Sequence, residues 1–229
     1  MAIILYQCND VYRYSQKKNG RPAIRSDPRP VSAIRLDGGR LCIDFANTIH
    51  DRYAADVEDY IATPERYLEW AKRAGAIAPG EAIDMPALAE GREHLMEDIR
   101  ALRDAVYALL LARADSVPLP ADALLILNAW LRSARQSQRV SASGLLEFNA
   151  APDDIHAPLK RIALDFVETI ADERAAKLEL RRCANQHSCG WLFADTSKNG
   201  RRRWCAMETC GTISKMATRR DKNRSRLIA

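Results

Sequence analysis

The chain has 229 residues, 47% of them hydrophobic, enough to bury a core and suited to one ordinary domain with a small appended module. No apolar run approaches the roughly twenty residues that cross a bilayer, and Met1-Ala2-Ile3-Ile4-Leu5-Tyr6 is too short for a secretory leader, so the reading is a soluble cytoplasmic protein without a membrane partner. The formal charge of +5 is unevenly placed: residues 181–229 hold twelve Lys or Arg against Asp195, Glu208 and Asp221, a net +9, which leaves −4 for the rest.

Residues 1–30, with Lys17-Lys18-Asn19-Gly20-Arg21-Pro22 and Asp27-Pro28-Arg29-Pro30, are polar and broken by proline, and predict a disordered or weakly held arm with Cys8 as a free thiol. Val31–Leu36 alternates like a strand and Asp37-Gly38-Gly39 reads as a turn. The next stretch, Arg40–Ile49, fits two templates. Leu41, Ile43 and Phe45 alternate, whereas Cys42, Phe45, Ala46 and Ile49 share a helical face, and the continuation through Ile49 favours the helix. Asp44, Asn47, His50, Asp51 and Arg52 crowd polar groups beside that face. Read functionally, Asp44, Asn47 and Arg52 line a candidate ligand pocket, or His50 and Asp51 act as acid and base. Read structurally, Asp44 and Asn47 satisfy local backbone groups. No nucleophile or metal-ligand pattern accompanies them, which favours the structural reading, and no catalytic residue is assigned.

Thr63-Pro64-Glu65 predicts a helix start, with threonine as cap, proline at the first helical position and glutamate in the first turn. This helix stops near Gly75. A second runs from about Met85-Pro86 to Ala114 with Leu88, Leu95, Ile99, Leu102, Val106, Leu109 and Leu110 on its core face. Pro118 and Pro120 break the chain before a third helix from Asp122 to about Ser133. Residues 138–148 read as a hairpin closed at Ser143-Gly144. From Pro152 a long helix, with Ile155, Leu159, Ile162, Phe166 and Ile170 as its stripe, is expected to continue to Arg182 and deliver the chain to Cys183 as a strut. Residues 31–180 are therefore expected to form a mainly helical domain able to fold by itself.

Four of the six cysteines follow: Cys183 and Cys189 five residues apart, a gap of fifteen, then Cys205 and Cys210 four apart. Two close pairs separated by a hairpin-sized span let four thiolates meet on one tetrahedral zinc ion, which leaves no open coordination position and makes the site structural. Two disulfides, or His187 in place of Cys189, are the alternatives. Gly190–Phe193 and Arg202–Cys205 read as strands joined by a turn at 195–200, with Trp191, Phe193 and Trp204 as a small aromatic core. Beyond Cys210 the pattern turns helical, with Ile213, Met216 and Ala217 on one side and Lys215, Arg219, Lys222 and Arg226 as a basic stripe. A knuckle, a hairpin and a helix carrying the last ligand describe a treble-clef-like finger. The fold class is mainly α with short β-hairpins.

The run Cys183–Lys215, with Gly190-Trp191-Leu192-Phe193, Asp195-Thr196-Ser197, Arg203-Trp204-Cys205-Ala206-Met207 and Cys210-Gly211, resembles the CGNR zinc-finger family of bacterial proteins, regarded as transcription regulators. The chain has Cys210-Gly211-Thr212-Ile213 where that family has Cys-Gly-Asn-Arg, so the Asn-Arg pair is missing. Leu41-Cys42-Ile43-Asp44-Phe45-Ala46-Asn47-Thr48 is similar to the opening of the ABATE domain that precedes the finger there. The resemblance implies a DNA-binding regulator that is not an enzyme. In this reading Arg201, Arg202, Arg203, Lys215, Arg219 and Arg220 meet duplex DNA, and the helical body forms a homodimer or senses a small-molecule effector. An RNA-binding or protein-binding zinc module, and an enzyme using the Asp44–Arg52 cluster, are the other readings.

Overall fold

The computed structural model describes residues 23–24, 28–50, 52, 56–81, 88, 91–151, 153–185, 189–216 and 219. Among these the helices are α1 (Leu41–Ala46), α2 (Pro64–Arg73), α3 (Arg92–Ala114), α4 (Ala121–Gln136) and α5 (Ala157–Arg174). The strands are β1 (Ala23–Ile24), β2 (Ile49–His50), β3 (Asp56–Asp59), β4 (Gln138–Val140), β5 (Leu146–Phe148), β6 (Glu179–Arg182) and β7 (Leu192–Asp195). This is the mainly α fold with short β pairs that the periodicities predict.

The apolar stripe of α3 explains its place at the centre: Leu95, Ile99, Leu102, Val106, Leu109 and Leu110 are all buried, and α3 packs against α4 while α4 packs against α5. Short α1 closes the bundle by lying on both α3 and α5. Arg40, which precedes it, offers no cap oxygen, so the orphan N–H of Cys42 donates to Asp165 of α5 at 2.7 Å. At α2 the predicted cap forms, with the Thr63 hydroxyl accepting from Arg66 N at 3.4 Å ahead of Pro64. The hairpin at 138–148 also forms, β4 pairing antiparallel with β5 and Gly144 adopting a φ of +79° that a side chain would oppose.

Five elements differ from the expectation, the first being α1, which stops at Ala46 so that Ile49, expected on its helical face, lies in β2 instead. Val31–Ala33 winds into a single 3₁₀ turn instead of a strand, and the Arg73 guanidinium donates to the carbonyls of Val31 and Ile34. Asp56–Asp59, too acidic to give a strand signal, pairs antiparallel with β2 and parallel with β1. The burial of Glu58 and Asp59 is tolerable because each meets arginine: Arg29 holds Glu58 at 2.9 Å, and Arg103 grips Asp59 with two bonds of 2.7 and 2.8 Å, both partners being about 3% exposed. Burial alone would raise the Asp59 pKa, but the guanidinium outweighs it and holds the carboxyl below its usual value.

The long last helix stops at Arg174, earlier than expected, and Ala176 takes a φ of +54°. The chain then switches period: Leu178 and Leu180 are buried with Glu179 exposed between them, an alternation of two that makes β6 a strand. Consequently a strand, not a helical strut, carries the chain into Cys183. β7 pairs with β6, Arg182 opposite Leu192 and Glu179 opposite Asp195, and residues 201–205 form no strand. The expected partner of 190–193 was thus the wrong one. The segment 196–205 is held through Asp195 instead, whose carboxylate accepts from Ser197 N and Oγ and from Arg202 N.

Candidate metal centre

Cys183 leaves the end of β6, and Cys189 follows in the loop before β7. Cys205 ends the extended segment, and Cys210 sits in a π-helical turn, Met207–Gly211, that runs on as α-helix through residues 212–216. Backbone bonds fix these positions: Cys183 N donates to Trp191 O at 2.8 Å, Ala184 N to Arg203 O at 2.8 Å, and Cys189 N to Asn185 O at 3.1 Å. The four sulfurs are buried and lie within 4.8 Å of one another. Cys189 to Cys205 and Cys205 to Cys210 each measure 3.6 Å. A disulfide would bring a pair to about 2.05 Å, whereas thiolates at ~2.3 Å from one zinc stand about 3.8 Å apart. None of these four cysteines is disulfide-bonded, and the spacing is that of a tetrahedral thiolate set. His187 lies outside the described residues.

The thiols feel one another strongly. Cys183 is lowered by hydrogen bonds with Cys189, Cys205 and Cys210, while the Cys189 thiol is pushed up by Cys183, Cys205 and Cys210, and the Cys205 thiol by Cys183 and Cys210 against an opposing bond with Cys189. Four facing sulfurs cannot all ionise without a cation among them, and a divalent ion supplies the compensating charge. Asn185 Nδ2 approaches Cys210 Sγ at 3.6 Å, an amide donor aimed at a ligand sulfur that cysteine spacing could not reveal. The donor set fits one zinc ion, held by Cys183, Cys189, Cys205 and Cys210. With four protein ligands that ion holds the fold and has no position left for a reacting group.

This centre is joined to the helical body by a buried polar seam. Asn47 spans it: its Nδ2 donates to Leu192 O at 2.8 Å and its Oδ1 accepts from Leu192 N at 3.0 Å. Trp191 Nε1 donates to Ile49 O at 3.1 Å, and Tyr107 of α3 donates its hydroxyl to Gly190 O at 2.8 Å. Ala194 N donates to Gly38 O at 2.8 Å, and Gly38 N donates to Asp44 Oδ1 at 2.8 Å. Gly38 must be glycine: a Cβ there would fall 2.8 Å from the Asp44 carboxylate and from Ile43. Arg52 donates to Ala46 O and lays its guanidinium 3.7 Å from the centroid of the Tyr107 ring. So the structure does bring Asp44, Asn47 and Arg52 together, but on the seam between body and finger, where their polar atoms serve backbone and ring. His50 lies edge-on to Trp191, and Asp51 is outside the described residues.

The six cations singled out from the sequence divide. Arg201, Arg203, Lys215 and Arg219 are exposed, and Arg220 is outside the described residues. Arg202 turns inward, donating to Asp37 O at 2.9 Å, to Trp204 O at 3.1 Å and to Cys205 O, and stacking 4.4 Å from the Phe193 centroid. Trp191 and Phe193 are buried and Trp204 is partly so, as the aromatic core requires, though that core merges with Phe45, Tyr60, Trp70 and the stripes of the body.

Two family models match the chain one after the other. The ABATE family model, described as "putative stress-induced transcription regulator", matches residues 39–173, and the CGNR zinc finger model matches residues 179–223. No curated protein matches the chain.

Proposed function

The chain belongs to the ABATE family and carries a CGNR zinc finger behind that domain, and on that premise we propose that it is a DNA-binding transcription regulator whose zinc-fixed finger contacts duplex DNA. Both families are of regulator and zinc-finger type, not enzyme families. The observation that carries the proposal is the pair of faces on the finger. One side is fastened to the body through Asn47, Trp191 and Arg202, while Arg201, Arg203, Lys215 and Arg219 stand exposed on backbone that the cysteines position. Cations on a rigid frame lose less entropy on binding a phosphate backbone than cations on a free tail. Arg220 adjoins this set in sequence and is included in it. Arg202 contributes by holding the frame.

We further propose that the body forms a homodimer. Leu125, Val140, Leu145 and Leu146 are exposed on α4 and the adjoining hairpin and offer apolar surface to a second copy. An effector site is sought best on the same helix, where Asn128, Leu131, Arg132, Arg135 and Gln136 line an open depression of about 510 Å³. No described helix is long and apolar enough to cross a membrane.

The test is binding of the zinc-loaded protein to duplex DNA, single-stranded DNA and RNA across one salt series. If five cations each neutralise one phosphate, log K against log salt falls with a slope of about −4.5. Tighter binding to RNA or to single strands replaces this reading with a different nucleic-acid partner. Absence of binding to all three points to a protein partner.

A further inference from the structure

We infer that Asn185 is a positioning residue of the metal centre: its amide shares the negative charge of the Cys210 thiolate, which tightens the hold on zinc and makes that sulfur less reactive. Four thiolates around one divalent cation leave two negative charges over, at a site whose cysteines are all buried. Buried charge is costly unless donors meet it. Asn185 brings such a donor. Its Nδ2 stands 3.6 Å from Cys210 Sγ, and the residue is 6% exposed, so little water competes for the amide. An asparagine in a loop ordinarily bonds backbone groups a few residues away. Here the backbone closes the loop by itself, Cys189 N donating to Asn185 O at 3.1 Å, and the side chain reaches 25 residues along the chain to the last ligand.

Cys210 is the ligand with most to gain from that bond. It is 7% exposed, against 0% for Cys183 and 3% for Cys189 and Cys205, and it sits in a π-helical turn whose Glu208 and Thr209 are exposed. An amide on its sulfur steadies the least enclosed ligand and, with it, the helical residues 212–216 that carry Lys215. The same sulfur is the one an electrophile reaches first. Thiolate is the nucleophilic form of cysteine, and a hydrogen bond draws on the lone pair that attacks. With iodoacetamide the Cys210 sulfur forms an S–C bond and iodide leaves with the C–I electron pair. The neutral thioether that results no longer offsets zinc, and the metal is released.

The experiment uses the full zinc-loaded chain with Asn185→Ala and Asn185→Asp, at pH 8 so that the new carboxyl is ionised. Competition with a chromogenic chelator is expected to show zinc affinity about tenfold to a hundredfold lower in Asn185→Ala. Asn185→Asp keeps the size of asparagine but sets a negative charge against the sulfur, and should bind zinc more weakly still. A side chain that only filled space would give the opposite order. With cobalt(II) in place of zinc, the sulfur-to-metal charge-transfer band should move to lower energy in Asn185→Ala, since the unbonded thiolate gives up its electron more easily. Iodoacetamide should release zinc several-fold faster from that variant, with Cys210 the first cysteine modified on peptide mapping. Native zinc affinity in Asn185→Ala, or tighter binding by Asn185→Asp than by Asn185→Ala, overturns the assignment, as does a cobalt band that does not move. Zinc release at the native rate, or a faster release that starts at another cysteine, overturns it as well. A variant whose finger stays unfolded at saturating zinc, read by tryptophan fluorescence, places Asn185 in the folding of the loop and removes it from the sulfur.

Discussion

Arg202 and Arg203 are neighbours in the chain and belong to opposite faces of the finger. Arg202 is committed inward, to the carbonyls of Asp37, Trp204 and Cys205 and to the face of Phe193. Arg203 is exposed, with only the Trp204 ring beneath it among its described contacts. The inner face is saturated with partners from the body and the outer face keeps its charges available. A basic run in a small metal module is therefore not one electrostatic patch. Part of it is scaffold, and counting cations overstates what meets a polyanion.

The largest expected effect comes from the metal, because it supports both faces. Structural zinc contributes on the order of 10 kcal/mol to small finger peptides, and here the finger's apolar residues share one core with the body. Cys205→Ser, or exhaustive chelation, is expected to abolish zinc binding, release Trp191 from Ile49 and lower the thermal midpoint of the helices. Zinc analysis, tryptophan fluorescence and helical circular dichroism follow these three in turn. A truncation ending at Leu180 examines the proposed domain boundary directly, since it uncovers Tyr107 and the Asn47 side chain together. If the helices melt at the same temperature with and without the metal, the inner face is only an apposition of two independent units.

The two arginines sharpen the comparison at a smaller scale. Arg202→Ala removes four carbonyl partners, Ala194 O at 3.5 Å being the fourth, and a stacked ring, so a loss of about 2 kcal/mol in unfolding free energy is expected. Arg203→Ala is expected to stay within about 0.5 kcal/mol of the native protein in stability. Its cost should appear instead in DNA affinity, with the salt slope flattened by about one. Denaturant unfolding and a salt titration on both variants suffice. Equal behaviour of the two variants in both measurements would erase the distinction between the faces.

Much of this was legible in the chain because it depends on local pattern. The Thr63-Pro64 cap, the α3 stripe, the Ser143-Gly144 hairpin and the four cysteines are each fixed by residues close together in sequence or by ligand chemistry. What escaped depends on partners far away. Asp56–Asp59 is a strand only because Arg29 and Arg103 accommodate its carboxylates, 29 and 44 residues off. Asn47 does satisfy backbone groups, as its place beside an apolar face suggested, but they belong to Leu192, 145 residues away. The stop of α5 at Arg174 was missed because Lys177–Arg182 has helix-compatible residue types, and the alternation of Leu178 and Leu180 is too short to stand out. Arg202 was read with its neighbours because nothing in a run of three arginines marks the one that turns inward.

The smallest expected effect tests the support beneath the inner face. Asp44 Oδ1 accepts the Gly38 N–H, and Gly38 O in turn accepts the Ala194 N–H of β7, so this half-buried carboxyl steadies the loop on which the finger rests. Burial pushes its pKa up to about 7, with the nearby charges of Asp37 and Asp165 adding and the Gly38 N–H and Arg73 opposing. An unfolded aspartate titrates near ~3.9. The folded protein thus holds this proton more tightly than the unfolded chain does. The resulting stability is fully present below about pH 4 and is lost as pH rises through about 7. Asp44→Asn keeps an oxygen for Gly38 and has no proton to lose. It should match the native protein near pH 4–5 and exceed it at pH 8 by about 1 kcal/mol, discounted for partial solvation, which is a few degrees in midpoint. Native and variant midpoints that stay parallel from pH 4 to pH 8 would mean that Asp44 ionises there without strain, and that the seam owes nothing to its proton.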